Sequence, residues 1–155
     1  MARRFFVPGS IGAVSSSFKT AVLITSATTV RPKIFSYMWS TLGAAADGVL
    51  EWIIQRFTAA GTTTAVTPRN LDATDPATAL SSGGSNATVE PTYTANSSLG
   101  DRGLNQRATY TWNAWTEGAQ LVAPATAASG VGIACLSSFA PAYTGVAAAE
   151  INFEE

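Results

Sequence analysis

Apolar and polar residues alternate with period two over much of this chain. Between 104 and 124 (LNQRATYTWNAWTEGAQLVAP), Ala108, Tyr110 and Trp112 fall on one side, and Arg107, Thr109, Thr111 and Asn113 on the other. That is the pattern of a strand with one buried face. Glu117-Gly118 supplies a turn, and Gln120 to Ala123 starts a return strand that Pro124 stops. The stretch therefore predicts a β-hairpin with a heavy aromatic load. Residues 18–29 (FKTAVLITSATT) predict a second strand, and Arg31-Pro32 turns the chain into a third at 33–41. There Phe35, Tyr37 and Trp39 share a face, a row that reads as the core side of a sandwich rather than a sugar platform.

Residues 43–48 (GAAADG) predict a loop around Asp47-Gly48. Residues 49–60 (VLEWIIQRFTAA) have helical spacing at Leu50, Ile53, Ile54 and Phe57. β-Branched and aromatic residues dominate, however, so the expectation is a strand running on into 62–66. Residues 67–93 are broken by Pro68, Pro76, Gly83-Gly84 and Pro91, with one helical turn expected at 75–80, capped by Asp75. A short strand broken by Pro91 is expected at 88–94, and two more at 130–139 and 145–153. About eight or nine short strands with inward aromatics define an all-β, antiparallel β-sandwich. The long excursion after residue 67 favours a jelly-roll or Greek-key path, whose connections cross over the end of the sandwich.

Residues 17–155 form one domain on this reading, and residues 1–16 an extended N-terminal arm. Arg3 and Arg4 precede Phe5, Phe6 and Val7, and Pro8-Gly9 follows. The expectation is that this break keeps the arm out of the sheet. The arm is then either a frayed terminus or an element that inserts Phe5 and Phe6 into a partner, with the arginines on its acidic rim.

Composition narrows the function. Only 12% of residues are charged, about half the usual share. A surface of Ala, Thr and Ser loses little hydration on contact and suits a protein covered by neighbours. The net charge is −1, with seven Arg and two Lys, so no basic stripe is offered to nucleic acid. There is no His, which removes the commonest general base and transition-metal ligand. Cys135 is the only cysteine and lies in an apolar run, GVGIACL, so it reads as a buried, inert thiol. No apolar run approaches the length of a membrane span, and Pro8-Gly9-Ser10 interrupts any signal-peptide core.

Candidate chemistry is sparse. Asp72 and Asp75 lack the acidic spacing of a calcium loop. Glu51, Glu90 and Glu117 are the carboxylates a hydrolase reading would use, but nothing in the sequence brings them together. Asn86-Ala-Thr and Asn96-Ser-Ser match glycosylation acceptors, which matter only in a secreted chain. A Gln-Arg pair recurs at Gln55-Arg56 and Gln106-Arg107 in β-prone surroundings. An Arg in mid-strand needs a carboxylate or a subunit boundary, so Arg56 and Arg107, with Trp115, are the subunit-interface candidates.

Three segments, IIQRFTAAGTTTAVTPRNLD (53–72), LNQRATYTWNAW (104–115) and AEINFEE (149–155), carry a resemblance to the jelly-roll head decoration (cement) proteins of tailed bacteriophages. The resemblance implies a non-enzymatic virion protein without cofactor or metal. It would sit as a homotrimer on the capsid exterior, bridge subunits of the major capsid protein, and assemble in the host cytoplasm. Arg3, Arg4, Phe5 and Phe6 would be its capsid-binding arm. The alternative is a carbohydrate-binding sandwich using exposed Trp112 and Trp115.

Overall fold

The computed structural model describes residues 2–12, 14–43, 45–139 and 143–155. Met1 and Ala13 of the expected arm, and Ala44 of the expected 43–48 loop, lie outside the described residues. Strands account for 58% of the chain and no α-helix forms among the described residues, so the all-β expectation holds. Two antiparallel sheets face one another. The first has the order β3 (Lys33–Leu42), β12 (Val146–Glu154), β1 (Arg4–Ile11), β6 (Arg69–Asn70). Strands β9 (Tyr110–Asn113) and β10 (Leu121–Val122) both lie on the free side of β3. The second runs β5 (Thr62–Val66), β7 (Ser82–Val89), β2 (Lys19–Thr25), β11 (Gly130–Leu136), β4 (Val49–Ala59), β8 (Thr92–Asn105).

With β5 to β7 set aside, the order in one sheet is β1-β12-β3-β9/β10 and in the other β2-β11-β4-β8. Each strand of the first half is flanked by strands of the second, which is the wrapped, double Greek-key path of a jelly roll. The core between the sheets is built on Phe5, Ile34, Tyr37, Trp39, Trp52, Ile54, Ile133, Ile151 and Phe153.

Four expectations are corrected. The first is the arm. Arg4–Ile11 is an interior strand paired with β12 along its length and with β6 at Phe5 and Phe6. Phe5 is 1% exposed and stacks on Phe153 at 5.4 Å. The Pro8-Gly9 break is no obstacle, because a β side chain at Gly9 would lie 2.4 Å from the Ala21 carbonyl. Glycine is what lets β1 pass so close to β2.

The second correction is the hairpin. Trp112 pairs with Tyr37, and Leu121 with Ile34, so β9 and β10 are two pieces of one edge strand on β3. Residues 114–120 loop out between them and hold a single 3-10 turn, Glu117–Ala119. Third, Phe35 leaves the expected aromatic row. The ladder with β12 steps from Asn152↔Ser36 to Phe153↔Ile34, so Phe35 is the extra residue of a β-bulge. The bulge flips the alternation: Ile34 points in, Phe35 out, and Tyr37 and Trp39 in again. Fourth, no helical turn forms at 75–80. The Asp75 carboxylate instead accepts the Ala77 amide, and the Asn70 side-chain amide donates to the Ala77 carbonyl at 2.8 Å.

The strand expected across 49–66 divides at Gly61, whose φ is 67°. Strand β4 pairs with β8 as far as Ala59↔Thr92, and β5 then pairs with β7 from Thr62↔Val89. One two-stranded ribbon therefore crosses the outer face of the second sheet. Beneath it lie Leu23 and Phe57, with Tyr93 edge-on to Phe57 at 6.3 Å. This second layer explains why β2 is apolar on both faces.

Candidate functional site

The excursion at 114–120 divides an open furrow from an open groove, and the edge strand and bulge position both. It is rigidly rooted. The Ala114 amide donates to the Phe35 carbonyl at 2.8 Å, the Ala119 amide to the Thr116 carbonyl at 3.0 Å, and the Ala123 amide to the Pro32 carbonyl at 3.0 Å. Gln120 Nε2 donates to Glu154 Oε1 at 3.0 Å. On this frame Trp115 is 95% exposed. An indole held in water adds nothing to its own fold, so its apolar area is available to a partner.

On one side of the excursion Tyr110, Trp112 and Trp115 border a furrow of about 370 Å³. Tyr110 and Trp112 are half-buried, stacked on Trp39 and Tyr37 at 5.1 Å each. The Arg102 guanidinium lies 5.0 Å from the Tyr110 ring centre and has no carboxylate partner among the described residues. Burial pushes the Tyr37 phenol up to about 12, with the nearby Tyr110 adding and Arg102 opposing.

On the other side is a groove of about 890 Å³, bordered by Arg3, Arg4, Phe35, Leu71, Asp72 and Glu117 among others. Its floor is the buried Glu154 carboxylate, which meets Arg4 Nε at 3.6 Å and Lys33 Nζ at 4.0 Å. The Arg4 guanidinium lies 5.3 Å from the Phe35 ring centre, where the bulge has turned that ring outward. Arg3 Nε stands 3.8 Å from Asp75. The Asp72 carboxylate accepts bonds from the Thr74 hydroxyl and amide, which hold its pKa below the usual value. Neither Asp72 nor Glu117 has a cation partner among the described residues.

The residues singled out from sequence are dispersed. Arg3 and Arg4 do reach the groove, but Phe5 is in the core and Phe6 is half-buried on β1. Arg56 needs no subunit boundary, since its guanidinium donates to the Val122 carbonyl at 3.2 Å. Arg107 lies in the turn after β8, 3.4 Å from Asp47, and is not in a strand. The Gln-Arg echo is thus no structural repeat. Trp115 is open to solvent. Glu51 is on β4 and Glu117 on the excursion, while Glu90 accepts the Thr20 amide and hydroxyl at 3.0 and 2.7 Å under the ribbon. The three carboxylates form no common site. Among the described residues no group of three or more His, Cys, Asp or Glu is arranged to hold a metal. No helix there is long and apolar enough to cross a membrane.

The groove itself had no signal in the sequence. Its walls come from positions near 4, 35, 71, 117 and 154, joined only by sheet pairing and the Phe35 bulge. Compared with known proteins, the chain matches no family model, no curated protein and no solved structure.

Proposed function

We propose that this protein is a non-enzymatic structural protein of a phage virion. On this reading it assembles in the host cytoplasm onto the capsid exterior and bridges major capsid subunits. The observation that carries the reading is a large apolar anchor, Trp115, held 95% exposed on a rigid excursion of a surface with few charges. Such a surface desolvates at low cost and an aromatic anchor supplies the contact energy. The wrapped strand order adds mechanical sense, because β1 and β12, distant in sequence, pair along their length within one sheet. The test is to add purified protein to shells stripped of their outer proteins. Saturable occupancy and greater resistance of the shells to heat are expected; shells that take up none would refute the reading.

A second reading rests on the same furrow. Trp115 beside Tyr110 and Trp112 offers stacking surface of the kind a sugar ring uses. Retention on a polysaccharide column, lost in Trp115→Ala, is its signature.

A further inference from the structure

We infer that the groove is a docking site for a basic, extended segment of another protein, anchored by an arginine on Glu154. Two independent observations point to a cationic occupant. The first is the floor. Glu154 is 5% exposed, and its Oε1 accepts a hydrogen bond from Gln120 Nε2 at 3.0 Å. Its Oε2 receives no hydrogen bond among the described residues, and Arg4 Nε stands off at 3.6 Å, beyond hydrogen-bonding reach. A carboxylate so deeply buried and short of a donor is costly, and a donor brought by a ligand relieves that cost. The second observation is the balance of charge. The lining carries Asp72, Asp75, Glu117 and Glu154 against Arg3 and Arg4. Arg3 meets Asp75, and Arg4, with Lys33, meets Glu154. Asp72 on one rim and Glu117 on the other are left without a cation among the described residues.

A segment in which basic residues recur satisfies floor and rims together, whereas a single small cation leaves the rims unanswered. The anchor is arginine, because its planar fork reaches a carboxylate oxygen with more than one donor. Its apolar stem lies against Leu71, 51% exposed, and the outward-turned Phe35. A volume of about 890 Å³ takes a few side chains and not a folded domain. Both walls are set before contact. The Ala114 amide and the Gln120 side chain fix the excursion, and the Leu71 amide donates to the Arg4 carbonyl at 3.0 Å on the opposite side. A preformed groove loses little freedom on binding. The groove lies across the excursion from the furrow, so the inference does not depend on what covers Trp115.

Fluorescence anisotropy of a labelled hexapeptide alternating arginine and leucine, titrated with the full chain, tests it. Saturable binding is expected, and it should weaken as salt rises. A peptide alternating glutamate and leucine should not bind, and one alternating lysine and leucine should bind several-fold more weakly. Glu117→Lys and Leu71→Lys, both at exposed positions, should each weaken binding at least about 10-fold through like-charge repulsion. Their melting temperatures should not move. Glu154→Gln should weaken binding at least about 30-fold, as loss of one partner of a buried charge pair does. If that variant fails to fold, the two exposed variants still decide the matter. In heteronuclear NMR the peptide should shift Phe35, Leu71, Glu117 and Glu154. No saturable binding, equal affinity for the lysine peptide or for a single capped arginine, or full affinity in Glu117→Lys would each overturn the inference. Shifts confined to Tyr110 and Trp112 would place the peptide in the furrow and overturn it as well.

Discussion

Trp39 on β3 and Trp52 on β4 lie face to face across the sandwich, ring centres 5.5 Å apart and planes 8° from parallel. This stack locks the two sheets at the centre of the core. Trp52→Ala should cost about 3–5 kcal/mol in urea unfolding, as removal of a buried aromatic does. Trp39→Phe should cost less than about 2 kcal/mol, because the buried Trp39 indole N–H has no hydrogen-bond partner among the described residues to lose. Trp112 is half-buried at the edge, so its truncation should fall below that of Trp52. The reverse ranking would mean that the sandwich is centred on the β9 edge.

Deleting residues 2–10 removes most of β1, an interior strand of the first sheet, with the buried Phe5 and Val7. The truncated chain should lose its near-ultraviolet circular dichroism and its cooperative melt. Phe5→Ala alone should cost about 3–5 kcal/mol. A truncated protein with native melting behaviour would restore the detached-arm picture.

Gly132 on β11 lies beneath the ribbon, where an added β carbon would stand 2.7 Å from Tyr93 Oη. That hydroxyl is also 2.7 Å from Thr20 Oγ1. Gly132→Ala should therefore destabilise by about 1–3 kcal/mol through overpacking. In the double variant with Tyr93→Phe the clash disappears, and the combined loss should be smaller than the sum. Strict additivity would show that the ribbon does not press on β11.

The protein should be sensitive to base. Burial raises the Cys135 thiol from 9.0 to about 12, with the Glu90 charge adding to it, and raises the Tyr37 phenol from 10.0 to about 12. The folded state favours both neutral forms, so the unfolded chain ionises first. Their stabilisation is fully present below pH 9 and is lost as pH rises towards 12. Melting temperatures should fall steeply above about pH 9. In Cys135→Ala the onset should move up towards the phenol's ordinary range, and an unchanged onset would mean the thiol is not buried.

The sequence by itself determined the all-β class, the strands β2, β3, β4, β11 and β12, and how the surface is made. The alternation of Tyr37 with Trp39 and of Tyr110 with Trp112, the apolar run around Cys135, and the shortage of charge are local properties. Each held, because a side chain's preference for core or water acts residue by residue. The tertiary structure alone decided which strands pair. β1 entered the sheet because β12 and the Gly9 crossing were waiting for it. The predicted hairpin became a broken edge strand because β3 offered a ladder to both halves. One extra residue in the ladder of β3 with β12 turned Phe35 outward and so made a wall of the groove. Strand pairing is settled by hydrogen bonds between distant positions, and a bulge by a mismatch between two strands. Neither leaves a mark in the hydrophobic pattern of one segment, which is why the strands were legible and the groove was not.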